Sequence, residues 1–511
     1  MRTAAISPKP DFLSQPRNRV ALLIGVTLLA RALFALSTGL GVDESYTVAT
    51  GRQLALSAYD HPPLAWWLSW LGVKVFGIET GLSVRLPFIL LFAATTWQFY
   101  RLGELLFDAE TGWRAALILN CAPVLGITTG TWVLPDGPLL LGLVSGAVCI
   151  GRVLFNQPER PAFWLAAGFW GGIAMLSKYH GVFLFAGVGL FLLTTQHRRW
   201  LATPWPYGGA AIALLMFTPV VVWNYQHHWV SFLFQGGRAA AISFRLWMPF
   251  AVLAGHALFL LPWLWLALVL AAARACRISV HDERRWLLFC LGIGPVALFT
   301  AVAAWSQGVL LHWAMPRYLM WIPLAAADLA QTAPWTRHVW RHALAFSACV
   351  TALVAIDVAT LANLPVDWAK WRLRDPLKEI HDLTEINQIL ADKGYAPNAG
   401  TFVGAVRWLD AGKIDYAMKG RFKVTCLCDD ARGYSILAPM QDFAAKDGLV
   451  LVPPWMADHV QTYISARFQS LERLEDITIH HAGQPLAVFM LYYGTKFQPQ
   501  RGVTFQTPPA R

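Results

Sequence analysis

The sequence predicts a polytopic α-helical membrane protein with a small α/β domain at its C-terminal end, and three observations lead there. Of its 511 residues 56% are hydrophobic and only 14% charged, whereas a soluble chain needs roughly 25% charged residues to keep its surface wet. Apolar blocks of spanning length recur from residue 19 to residue 362; about 20 apolar residues cross a hydrocarbon layer. Past residue 365 the charge density rises, and short helical and strand-like pieces alternate. The expected division is a membrane part over 1–364 and an α/β domain over 365–511.

The blocks fall near 19–40, 86–107, 115–131, 137–155, 162–195, 207–223, 249–272, 286–304, 318–333 and 343–362. Basic residues flank the run 162–195 at both ends, Arg152 and Arg160 before it and Arg198-Arg199 after it. Both ends therefore lie on one side, and the run makes two crossings with Lys178 near the turn. The total is about eleven spans. Residues 62–79, rich in tryptophan and opening on Pro62-Pro63, read as a helix lying in the interface. Lys9, Arg17 and Arg19 precede the first block, which is longer than a signal-peptide core and is read as an uncleaved span.

Parity tests this count. With the N-terminus inside, the cytoplasmic loops hold Arg114, Arg160, Arg274, Arg284 and Arg337 among others, as short cytoplasmic loops do. The outer loops hold Asp43-Glu44, Asp60-His61, Asp136, Lys178 and the stretches 224–248 and 305–317. An odd span number places the C-terminal domain outside as well. In it, 376–393 reads as a helix, and 401–406, 434–438, 448–452 and 486–493 as strands. Of the seven cysteines only Cys426 and Cys428 lie in a polar region. Two residues apart, they read as small buried strand residues rather than as a disulfide.

A net charge of +11 suits anionic lipid head groups or phosphorylated substrates. No basic stripe interleaved with aromatics occurs outside the apolar blocks, so nucleic acid is not expected as a partner. The chemistry gathers in the outer loops. Asp43 and Glu44 follow the first span directly; Asp60-His61 is followed by the rigid Pro62-Pro63. Asp136 stands at the outer end of a span, where it is either a helix cap or a site acid. Lys178, His180, Arg238, His312 and Arg317 supply outer cations, which meet either lipid phosphates or a substrate. Arg31, inside the first span, is expected to face the protein interior and pair there. Outer acids and cations beside lipid suit a reaction on a lipid-linked phosphate, the cations holding the leaving group and a carboxylate taking the proton of an attacking hydroxyl. The main alternative is a lipid or glycolipid transporter, which predicts midplane charges and broken helices in matching halves; a sensor or scaffold gives no reason for the clustered acids.

Several motifs in order resemble the membrane glycosyltransferases that use polyprenyl-phosphate sugars. They are Asp43-Glu44-x-Tyr46, Tyr59 to Leu64 (YDHPPL), Arg85 to Pro87 (RLP), Pro135 to Leu141 (PDGPLLL), Leu176 to Tyr179 (LSKY), Ser231 to Arg238 (SFLFQGGR) and His312 to Leu319 (HWAMPRYL). The group includes protein O-mannosyltransferases and the aminoarabinose and galacturonic acid transferases of lipid A. The resemblance implies a GT-C fold in a bacterial inner membrane, with an active site facing the periplasm and inverting transfer to a hydroxyl or phosphate of lipid A, a surface glycan or a protein. It implies Asp43 as base or acceptor anchor, with Glu44 and Asp136 as further catalytic acids. Tyr59, Asp60, His61, Lys178, Tyr179, Arg238, His312 and Arg317 are the matching candidates for the lipid phosphate. At His61 the aminoarabinose transferases often carry Lys. Some relatives use a divalent metal and others none, so either is compatible with the resemblance; a monomer is expected.

Overall fold

The structure, a computed structural model, describes residues 12–240, 244–278, 281–306, 318–330, 334–360, 378–395, 400–481 and 483–499. Two compact units emerge: residues 1–33 with 88–353, and residues 34–87 with 354–511.

The described secondary-structure elements of the first unit are all helices. Among the described residues of the chain, six helices are long and apolar enough to cross a membrane, or eight if each of two pairs bent by 115° is one span. The blocks read as spans are mostly helical where described, but several helices are short, such as Phe163–Ser177. One block departs from the expectation of a straight span: 249–272 divides into helices Met248–Leu260 and Pro262–Arg277. The break is Leu261, held at φ 71°; Pro262, lacking an N–H and restricting the residue before it, opens the second helix. The run 162–195 makes two helices, Phe163–Ser177 and Val182–Thr194, with Lys178 at their junction as expected.

Arg31 sits in the first helix, Pro16–Ser37. Its guanidinium donates to Asn120 Oδ1 at 3.1 Å and to the Gly126 carbonyl at 3.0 Å, and lies 4.4 Å from the centre of the Phe92 ring. Gly126 belongs to a π-helical turn, Val124–Thr128, whose widened hydrogen-bond pattern accompanies the carbonyl offered to Arg31. The expected inward pairing of Arg31 is therefore met.

The second unit holds a five-stranded sheet of order β2-β1-β3-β5-β4, from β1 Thr401–Ala405, β2 Val424–Cys426, β3 Asp447–Val452, β4 Ser470–His481 and β5 Gln484–Thr495. β1 runs parallel to both β2 and β3; β5 is antiparallel to β3 and β4. Three of the expected strands are present. The fourth, 434–438, is instead a short helix, Tyr434–Leu437, whose Tyr434 hydroxyl is tied to the Ala411 carbonyl and to Asp415. The expected helix 376–393 shows, from 378 on, a turn at Lys378–Ile380 and a helix at Glu385–Asp392. Between them Asp382 accepts from the Thr384 N–H and from the Leu40 N–H, which bends the chain locally. Cys426 and Cys428 form a disulfide, correcting their reading as unlinked strand residues: Cys426 ends β2, Cys428 lies past it, and their Cα atoms stand 5.4 Å apart, within disulfide range.

Residues 34–87 join this unit through the helix Val42–Thr50, which packs on the helix Trp408–Met418. A methyl at Gly412 would lie 2.8 Å from the Tyr46 Cβ, so only glycine permits this approach.

His381 is fully buried in the same unit, its ring 4.2 Å from that of His481. Burial, with the charge of His481, lowers its pKa from 6.5 to about 4. Because the unfolded chain takes up the proton first, stability falls as pH drops from 6.5 towards 4, by at most about 3 kcal/mol. Thermal melting of the detergent-solubilised protein at pH 7 and pH 4.5 should show this loss, and His381→Gln should diminish it.

Candidate functional site

Asp43 and Glu44 are neighbours in the first turn of one helix, yet they have opposite fates. Glu44 is buried at 2% exposure and Asp43 is exposed. Glu44 accepts from Arg85 through both oxygens, Oε1 from Nε at 2.7 Å and Oε2 from Nη2 at 2.6 Å, and Oε2 also accepts from the Gly41 N–H at 3.1 Å. Arg85, wholly buried, spends its other N–H groups on the Thr38 carbonyl, the Thr38 hydroxyl and the Gly39 carbonyl. All five guanidinium donors are thus used, as a buried cation requires. The pair braces residues 38–44, the turn that presents Asp43.

One helical turn beyond Asp43, Tyr46 turns inward. Its hydroxyl accepts from the Gly433 N–H at 3.0 Å, and its ring meets Trp408 and Tyr434 edge-on at 5.3 and 6.2 Å. Burial and the charge of Asp60 push the Tyr46 pKa well up, so its hydroxyl keeps its proton. Asp60 is 5% exposed and pairs with Arg432 at 3.3 Å. Its neighbours Tyr59 and His61 are partly exposed, and the loop closes on itself through the Ala58 N–H donating to the His61 carbonyl at 3.2 Å.

In the first unit, Asp136 opens the helix Asp136–Gly151, and both its oxygens accept from Lys178 Nζ at 2.9 Å. The Lys178 side chain is only 5% exposed. Pro135 holds the N-cap position, and Asp136, in the first turn of the helix, meets Lys178 as an ion pair. Beside Lys178, the Tyr179 hydroxyl meets the Ser231 hydroxyl at 2.5 Å, and the Ser231 N–H donates to buried Asn224 at 3.2 Å. His180 stacks on Phe299 at 5.3 Å and borders an apolar cavity with Leu139, Phe183 and Leu291. Arg238 lies 5.0 Å over Phe234, and its carbonyl accepts from Ser306. His312 and Arg317 lie outside the described residues.

Among the described residues no group of three or more His, Cys, Asp and Glu is arranged to hold a metal. The side chains that the sequence did not assign to the site are Arg85, present there only within the RLP motif, Trp408 and Arg432. Arg85 carried a signal, an arginine in an otherwise apolar stretch, the same kind of signal that marked Arg31. Arg432 sits in a loop far along the chain and carries none.

Lys178 is buried and the Asp136 side chain is only 14% exposed, so removing one partner strands the other's charge. Lys178→Met should destabilise the helical unit by about 3 kcal/mol or more, and the double variant Lys178→Met/Asp136→Leu should recover part of that loss in thermal melting.

Comparison with known proteins adds three findings. The family model described as dolichyl-phosphate-mannose-protein mannosyltransferase matches residues 60–223. The crystal structure of ArnT from Cupriavidus metallidurans in the apo state superposes with a TM-score of 0.65 at 13% identity, covering 92% of this chain and 97% of that one. The same protein bound to undecaprenyl phosphate also superposes at 0.65 and 13% identity, covering 93% and 97%. No curated protein matches by sequence. The chain shares the fold of the ArnT structures, and the segment 60–223 matches a family model named for a lipid-phosphate sugar donor, both in line with the motif resemblance.

Proposed function

We propose that the protein is an inverting glycosyltransferase that moves a sugar from a polyprenyl-phosphate carrier to a hydroxyl or phosphate of lipid A, a surface glycan or a protein, at the periplasmic face of a bacterial inner membrane. The observation that carries this reading is the split between the two adjacent acids. A buried, fully satisfied Glu44–Arg85 pair fixes the turn that holds Asp43 out at the surface, as a base that meets an incoming acceptor must be held. The match of residues 60–223 to a family named for a lipid-phosphate sugar donor supports the donor class, and the undecaprenyl phosphate bound by ArnT supports it by analogy of fold.

In this mechanism Asp43 accepts the proton of the acceptor hydroxyl as its oxygen bonds to the anomeric carbon. The bond from that carbon to the carrier phosphate breaks, and the electron pair leaves on the phosphate. Inversion requires the base and the phosphate to lie on opposite faces of the sugar. Tyr59, Asp60, His61, Lys178, Tyr179, Arg238, His312 and Arg317 are the residues we assign to the phosphate. Glu44 acts through Arg85 as a positioning residue for Asp43. Asp136 holds Lys178 in place and moderates its charge. Where a divalent metal takes part, it would supply charge to the leaving phosphate.

Mass spectrometry of lipid A, surface glycans and envelope proteins from cells with and without the gene identifies the acceptor. The proposal expects one class to lose a sugar when the gene is deleted; unchanged lipids, glycans and proteins would contradict it.

A further inference from the structure

The loop Asp430–Gly433 touches both segments on which the proposed chemistry rests, and it does so with two adjacent residues. Arg432 pairs with Asp60, between Tyr59 and His61, at 3.3 Å, and Gly433 donates its N–H to Tyr46, on the helix that carries Asp43, at 3.0 Å. Arg432 is strongly held in this pose. Its guanidinium lies 3.6 Å from the centre of the Trp408 ring, its Nε is 3.6 Å from Asp430, and its side chain is only 13% exposed. Its backbone stands at φ 45°, a left-handed conformation that is costly for a residue with a Cβ and persists where the surroundings over-determine it. Trp408 in turn packs on Tyr46, so the aromatic that seats Arg432 also seats the Asp43 helix.

From this geometry we infer that Arg432 is a positioning residue for donor binding. It fixes the Tyr59–His61 segment, through Asp60, in register with the Asp43 helix, so that phosphate and acceptor are held a set distance apart. The inference rests on the proposed donor reading, and it gives the C-terminal domain a part in transfer. Losing Arg432 would free Asp60, place an unbalanced carboxylate beside the phosphate and loosen the segment that meets it. The step left untouched is proton acceptance by Asp43.

The test uses the full-length protein in detergent, with undecaprenyl phosphate as the probe and thermal melting measured in parallel. Arg432→Gln and Asp60→Asn should each weaken binding about tenfold or more, the scale of a lost charge-assisted hydrogen bond. The double variant should be no weaker than the worse single one, since the two residues act as a unit. Arg432→Lys should recover part of the affinity, and Asp43→Asn should bind like wild type. Where transfer is measured, Arg432→Gln should raise KM for the donor and leave kcat largely unchanged. Wild-type affinity in Arg432→Gln, or losses that simply add, would overturn the inference alone; absence of binding by the wild-type protein would overturn the donor reading and the inference with it.

Discussion

Replacing Arg85 by Met is expected to cost the second unit about 3–5 kcal/mol, because it strands the Glu44 carboxylate at 2% exposure together with the Thr38 and Gly39 carbonyls. The loss should appear as a lower melting temperature of the purified protein. Activity should fall with it, since the 38–44 turn no longer presents Asp43 in one place. The companion variant Glu44→Gln keeps shape and one acceptor but removes the charge, so it should destabilise less and still assemble. If Arg85→Met melted at the wild-type temperature, Glu44 would not be the brace that the hydrogen bonds describe, and its assignment as a second catalytic acid would regain ground.

The second large effect falls on Asp43. Asp43→Asn alters an exposed group at the start of a helix, where the amide still accepts hydrogen bonds, so folding should be preserved within about 1 kcal/mol. Transfer should drop about a thousandfold, the scale of a lost general base. The contrast between the neighbours is the signature: the Glu44 variants should lose stability and activity together, the Asp43 variant activity alone. Melting temperature and sugar transfer measured on the same preparations separate the two.

Much of this could be read in the sequence, and what could be read shares a cause. Spans, the turn at Lys178 and the inward pairing of Arg31 depend on local composition, because lipid tolerates neither unpaired charge nor unsatisfied backbone. The strands at 401–405, 447–452 and 484–495 announce themselves through apolar β-formers. Strand β4 does not: it is an edge strand with the sequence SLERLEDITIHH, whose charged residues alternate poorly and whose pairing with β5 shifts register twice. The segment 434–438 looked like a strand because Tyr, Ile and Leu suit one; the tertiary anchoring of Tyr434 decided otherwise.

The candidate site divides the same way. Asp43, Asp60, Asp136 and Lys178 were legible as polar residues where lipid-facing chain has no use for them. Their partners were legible only when close in kind or place. Asp136 and Lys178 were both singled out, though nothing in the spacing joined them. Arg432 lies 372 residues from Asp60, and no periodicity or composition rule reaches across that separation. The motif resemblance set Asp43 apart from Glu44, but the physical difference between them, which one Arg85 reaches, lies in the fold.

The central claim is a sugar transfer from a polyprenyl-phosphate carrier that depends on Asp43. Its most direct measurement is conversion of a labelled polyprenyl-phosphate sugar in membranes containing wild-type protein, Asp43→Asn, or neither. The account predicts acceptor-dependent loss of label from the carrier with wild type only, leaving the carrier phosphate behind, while Asp43→Asn retains a wild-type melting temperature. Turnover by Asp43→Asn at the wild-type rate, or no turnover by the wild type with any of lipid A, glycan or protein present, would contradict it.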